Sequence, residues 1–307
     1  MTEAFALMAI LAGVYYLQRI ADNKDSYLPL ILCGLSMGIA LISRLYYICI
    51  IPCLVFCLFY IYRNDKFSRN LIIKISLPLL LSVAPLFVFY TIWGSLTPPL
   101  FNKGEVFRNS KIYLGLNLLR PLSALCYVGI YCFPFFAVFN PSLLIKKWPF
   151  WPIAGTVGFF ITRNVYLWRL ERVHTGTGLI DAIVTSSYKL NDSIGSLTYF
   201  VSVSIAIMGV LLLINKFISS LREKEAILDI FSYTLVLLFI VQQTFVSGQT
   251  PFYDRYLIQI APFLGLITFD KKIKFDYRLL SLVIIYLIIG QFILWRFYLQ
   301  AKTVPAL

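Results

Sequence analysis

Two arginines in this sequence sit where an apolar context makes them conspicuous. Arg44 lies in LISRLYY, near the middle of a 35-residue apolar stretch from Leu28 to Tyr62. One straight helix through that stretch would leave a guanidinium deep in hydrocarbon. Two short helices joined by a tight turn at Ser43-Arg44 would bring it to a membrane surface instead. There its planar fork suits an anion such as a phosphate, or the side chain simply snorkels to lipid headgroups. The second, Arg255, belongs to Tyr253-Asp254-Arg255-Tyr256 in GQTPFYDRYLIQIAP, between two apolar runs. Here Arg255 could hold a phosphate while Asp254 positions a hydroxyl or pairs with a cation. A local ion pair between interfacial tyrosines is the plainer alternative.

General-base chemistry on a hydroxyl needs a carboxylate or a histidine. On the face that carries these arginines the candidates are Glu3, Glu105, Glu171, Asp181, Asp192 and Asp254, with the single histidine, His174, in RLERVHTGTG. Lys103, Arg108 and Lys111 could attract an anionic carrier, and a solvated loop accounts for them equally. The sequence has no phosphate-binding P-loop, no dinucleotide glycine pattern, no HExxH and no Cys/His metal cluster. ATP-driven transport and metalloprotease chemistry are thereby without support. No cofactor is indicated, and a divalent metal is left open.

The elements that must position these residues are membrane spans. Charged residues make up 13% of the chain and hydrophobic ones 60%, against about 25% charged in an ordinary soluble domain. Mean hydropathy is +0.81. The 307 residues are expected to form one all-α polytopic membrane domain of about ten spans. These fall near 3–18, 28–43, 46–62, 71–93, 118–140, 148–163, 196–216, 229–247, 256–269 and 279–298. Several are shorter than the ~20 residues of a perpendicular helix, which implies tilted or broken helices.

The net charge of +13 does not point to nucleic acid, because the basic residues fall in loops beside apolar runs, where they set orientation and meet anionic lipid. One side takes Arg19 and Lys24; Arg63, Lys66, Arg69 and Lys74; Lys146 and Lys147; Lys216, Arg222 and Lys224; and Lys271, Lys272, Lys274 and Arg278. That side is expected to be cytoplasmic. Met1 then lies outside with no basic leader before the first span, so helices upstream of it are expected. The outer face also holds long segments near 94–117 and 164–195. In the second, Leu179, Ile180, Ile183, Val184 and Leu190 could line one face of an interfacial helix, or an ordered loop.

All six cysteines, Cys33, Cys49, Cys53, Cys57, Cys126 and Cys132, lie in apolar segments and read as small hydrophobes. Gln242 and Gln243 read as hydrogen-bonding groups between helices.

The order of these features resembles the membrane glycosyltransferases of the GT-C fold, near the bacterial relatives of protein O-mannosyltransferases and lipid A aminoarabinose transferases. The likeness rests on Thr2-Glu3 opening a helix and on Gly34, Gly38 and Arg44 in CGLSMGIALISRLYY. It continues through Gly94, Ser95, Pro98 and Pro99 in WGSLTPP to Asp254, Arg255, Tyr256 and Pro262 at a late helix start. The resemblance implies a GT-C-like helical bundle in the cytoplasmic (inner) membrane, active at its extracytoplasmic face. It implies a polyprenyl-phosphate-linked sugar as donor and a lipid, glycan or protein as acceptor. Arg44 and Arg255 would contact phosphate, with Glu3, Asp254 and Tyr253 orienting the acceptor or the arginines. Family members carry their catalytic acid in an outer loop between two helices that precede this sequence. The expectation is therefore a chain that lacks that acid and is inactive by itself. An O-antigen polymerase or ligase is a rival, although such proteins gather their basic residues on one large outer loop. A transporter or flippase of lipid-linked sugars is another, and it predicts repeat symmetry; a purely structural membrane subunit is the third.

Overall fold

The structure is a computed structural model. It describes residues 2–43, 45–93, 119–139, 141–164, 183–184, 187–188, 190–223, 227–244 and 260–268, with positions 277, 281, 284, 285 and 288. The described residues are mostly helical, joined by short turns, with no strand among them. That is what an apolar medium demands, since a helix satisfies its backbone polar groups within one segment.

The order is α1 (Thr2–Asp22), α2 (Tyr27–Ser43), a 3-10 turn (Leu45–Cys49), α3 (Ile50–Tyr62) and α4 (Arg69–Trp93). These are followed by α5 (Leu119–Phe139), α6 (Pro141–Lys146), α7 (Phe150–Asn164), α8 (Asp192–Glu223), α9 (Ile227–Gln242) and α10 (Ala261–Thr268). Among the described residues four stretches are long and apolar enough to cross a membrane: Phe5–Asp22, Arg69–Ile92, Arg120–Phe139 and Asp192–Arg222. Tyr27–Ser43, Tyr47–Tyr62 and Ile227–Gln242 are shorter apolar helices.

The contacts divide the chain into two compact units. One comprises Met1–Asn117, Lys216–Gln249 and Gln259–Phe263; the other comprises Leu118–Asn215, Thr250–Ile258 and Leu264–Leu307. In the first, α2 packs on α1 and α4, while α9 packs on α1, α3 and the 3-10 turn. On α1 the buried positions are Ala6, Ile10, Val14, Leu17 and Ile20, one stripe at helical spacing. The opposite side exposes Met8, Leu11 and Tyr15. An apolar outer face of this kind belongs in lipid.

The α2–α4 seam is made by small residues. An added Cβ would sit 2.7 Å from the Pro78 carbonyl oxygen at Gly34 and 3.0 Å from the Leu81 carbonyl oxygen at Gly38. Gly34 and Gly38 form a G-x-x-x-G pair, which lets two backbones close together. Pro85 carries no N–H, so it frees the Leu81 carbonyl four residues earlier; that oxygen is the one pressed against Gly38. Ser82, fully buried, donates to the Leu79 carbonyl at 2.8 Å within the same seam. In the second unit, a Cβ on Gly129 of α5 would collide with the Ala206 carbonyl of α8. One on Gly209 would collide with the Gly129 carbonyl.

Several boundaries differ from those read in the sequence. Helix α8 runs to 32 residues, from Asp192 to Glu223, so Lys216 and Arg222 ride on its last turns and not in a loop. Asn191 caps its start, accepting the Ser193 N–H at 2.8 Å. Helix α9 ends at Gln242, short of residue 247, with Gln243 and Thr244 in a turn. Lys74 lies within α4 and is buried. In the 164–195 segment the described residues Ile183, Val184, Ser187, Tyr188 and Leu190 are helical, with Val184 buried and Ile183 and Leu190 exposed. Most of the expected 279–298 span lies outside the described residues.

Gly34→Ala should lower the thermal unfolding midpoint of the detergent-solubilised protein, an overpacking cost of about 1–3 kcal/mol. Gly155→Ala on α7, where an added Cβ meets nothing within 4 Å, should leave the midpoint unchanged or raise it.

Candidate functional site

The apolar stretch around Arg44 is two helices. Helix α2 stops at Ser43, whose hydroxyl donates to the Ile39 carbonyl at 2.8 Å, and the 3-10 turn starts at Leu45. Tyr47 and Cys49 are buried directly after the break. Arg44 itself lies outside the described residues, as do Tyr253, Asp254 and Arg255. Glu3 falls in the first turn of α1. Asp192 opens α8, while Glu105, Glu171, His174, Asp181, the WGSLTPP element beyond Trp93, and Lys103, Arg108 and Lys111 are outside the described set.

What the structure does place is the support of the break. The Cys49 N–H, at the junction of the 3-10 turn and α3, donates to Gln242 Oε1 at 3.2 Å. Cys49 offers no side-chain cap of its own, so a glutamine from the end of α9 takes that role across the fold. The Cys53 thiol donates to the Phe231 carbonyl at 3.5 Å. The Phe231 ring lies 5.8 Å from that of Phe263 in α10, a short way beyond Arg255 in the chain. Cys49, Cys53 and Phe263 thus all meet α9, which is buried over most of its length. Gln242 links helices as read from sequence, whereas Gln243 turns back on its own helix, donating to the Phe239 carbonyl at 3.3 Å.

The other end of the first unit carries a set of charges that sequence reading missed. Lys24 pairs with Asp65 at 2.9 Å and Asp25 with Lys74 at 2.8 Å. The adjacent residues of the α1–α2 turn thus hold opposite charges from the α3–α4 region. Tyr62 lies between them: its hydroxyl donates to the Lys24 carbonyl at 3.3 Å, and both ammonium groups approach its ring, at 5.7 Å and 6.0 Å. Tyr27 donates to Asn70 Oδ1 at 2.5 Å. The Lys74 side chain is 8% exposed and that of Asp25 is 94% exposed, so the ammonium gains most from a pair that water largely screens. The signal in the sequence was the alternation of sign at Lys24-Asp25, answered by Asp65 and Lys74.

A second overlooked residue is Arg120. It is 4% exposed in the first turns of α5, where Ser123 and Tyr127 are buried at helical spacing on the same face. The Tyr127 ring stacks on that of Tyr131 at 6.4 Å. A guanidinium inside LNLLRPLSALCYVG was the available cue. All six cysteines are buried, and among the described residues no group of His, Cys, Asp and Glu has the makings of a metal site.

Compared with known proteins, the chain matches no family model, no curated protein and no solved structure.

Lys74 holds the Asp25 carboxyl below the usual carboxylate range, first by its hydrogen bond and then by its charge. A depressed folded-state value means that the carboxylate stabilises the fold above its unfolded value, near pH ~3.9. That contribution is lost as pH falls through the lower folded value. Asp25→Asn should therefore lower the melting midpoint at neutral pH, and acidification below about pH 4 should bring wild type and variant together. Equal midpoints at neutral pH would remove the pair from the account of stability.

Proposed function

We propose that this chain is the membrane part of a glycosyltransferase. In this reading it moves a sugar from a polyprenyl-phosphate-linked donor to a lipid, glycan or protein acceptor at the extracytoplasmic face of the cell membrane. The ten-span, GT-C-like bundle belongs to the same proposal. The observation that carries it is that the apolar run holding Arg44 is not one α-helix: α2 gives way to the 3-10 turn Leu45–Cys49, non-helical at Tyr47, before α3 begins. Its anchoring to α9 through Cys49 and Gln242 adds support, since a phosphate-binding group works best from a rigid mount.

The chemistry follows from charge. As the glycosidic bond to phosphate breaks, negative charge builds on the departing lipid phosphate, and a fixed guanidinium stabilises it more than it stabilises the intact donor. Arg44 and Arg255 take that role. Asp254, Tyr253 and Glu3 orient the acceptor or hold the arginines, and a carboxylate contributed from elsewhere removes the acceptor proton.

The test uses the full chain in proteoliposomes with a radiolabelled polyprenyl phosphate and its sugar-loaded form. Arg44→Ala and Arg255→Ala should each weaken retention of the lipid phosphate by about tenfold or more, the loss expected for a charged hydrogen bond, with unchanged thermal midpoints. Where sugar transfer is detected, it should fall with them. Wild-type retention and transfer in both variants would dispose of the assignment.

A further inference from the structure

The connection between α3 and α4 has properties that the sugar-transfer reading does not use. Residues 63–69, Arg-Asn-Asp-Lys-Phe-Ser-Arg, are exposed throughout. Phe67 is 85% exposed, the highest value among the described large hydrophobic residues. An aromatic ring held in water with no apolar neighbour costs free energy, unless the loop meets an apolar boundary.

The loop is also held in place. Asp65 is tied to Lys24 at 2.9 Å, and the Asp65 N–H donates to the Tyr62 carbonyl at 2.9 Å. Ser68 caps α4, accepting the Leu71 N–H at 3.2 Å. Arg63 lies over the Tyr60 ring at 4.2 Å. The ion pair with Lys24 neutralises the loop's single carboxylate, so Arg63, Lys66 and Arg69 set the sign of its surface. The result is a pinned, net-positive loop with an aromatic tip, beginning directly after the apolar helix α3.

We propose that residues 63–69 form an anionic-phospholipid site. Lys66 and Arg69, with Arg63 beside them, hold lipid phosphate, and Phe67 wedges into the boundary between headgroups and acyl chains. Charge complementarity selects the occupant: a zwitterionic headgroup offers the cations no net charge, whereas an anionic one does, at a gain of about fivefold in affinity per basic residue near the surface. The aromatic ring selects a bilayer over a soluble anion, because only the bilayer offers it an apolar boundary. This inference stands independently of the sugar-transfer proposal.

The experiment uses the full chain in vesicles of phosphatidylglycerol mixed with phosphatidylcholine. Lipid retained after gentle detergent release is counted by native mass spectrometry. Wild type should retain phosphatidylglycerol preferentially, and the double variant Lys66→Gln/Arg69→Gln should lose most of that preference, roughly fivefold per charge removed. Lys146→Gln/Lys147→Gln, a basic pair elsewhere, should lower it less. A nitroxide attached through Phe67→Cys, specific because the native cysteines are buried, reports depth. It should relax with oxygen more than with a water-soluble nickel chelate. An unchanged lipid preference in the first double variant, an equal loss in the second, or a label relaxed mainly by the chelate would each overturn the proposal. Loss of preference without loss of the thermal midpoint separates lipid contact from a folding defect.

Discussion

In an apolar medium every backbone N–H and C=O must find its partner inside the protein, and the first unit is arranged around that constraint. It explains why the interruption between α2 and α3 comes with an acceptor brought in from another helix, Gln242 Oε1. It also explains the α2–α4 seam. Pro78 and Pro85 remove two donors from α4, and the Leu81 carbonyl released by Pro85 is covered by Gly38. Only a residue without a side chain lets the helices approach this closely.

Gly34 and Gly38 consequently have a physical role whichever family the chain belongs to. Read as part of a motif they point to sugar transfer; read through their neighbours they let α2 lie flat on α4. The two accounts meet at Ser43. A short α2 packs tightly along its length and ends at Ser43. The buried face of α9, from Ile230 to Phe239, supplies the matching constraint from the other side through Cys49 and Cys53.

Two helices in the Leu28–Tyr62 stretch were legible, because a charge in hydrocarbon argues against one straight helix. The lengths of α8 and α9 were not. Hydropathy marks where apolar residues stop, whereas a helix continues through Lys216, Ser219, Ser220 and Arg222 because those residues tolerate helical geometry, and the buried Ser220 hydroxyl donates to the Lys216 carbonyl. Lys74 was misplaced for a related reason. A lysine near the end of an apolar run reads as a loop residue, yet its long apolar stem can be buried if a carboxylate meets its head. That carboxylate, Asp25, is distant in sequence, and pairings of this kind depend on tertiary proximity that periodicity does not encode. Asp254-Arg255, Arg44 and the side chain of Glu3 rest on sequence alone.

At the turn end, Lys24, Asp25, Asp65 and Lys74 are engaged with one another around Tyr62, and a cation already matched to a carboxylate has little field left for a substrate phosphate. Removing one partner there should change stability before it changes chemistry, because the buried Lys74 head is left uncompensated. Around Ser43, Cys49 and Gln242 the described contacts are hydrogen bonds to neutral groups. Among the described residues, the charge pairs of the first unit sit at the α1–α2 turn, where they tie it to the α3–α4 region.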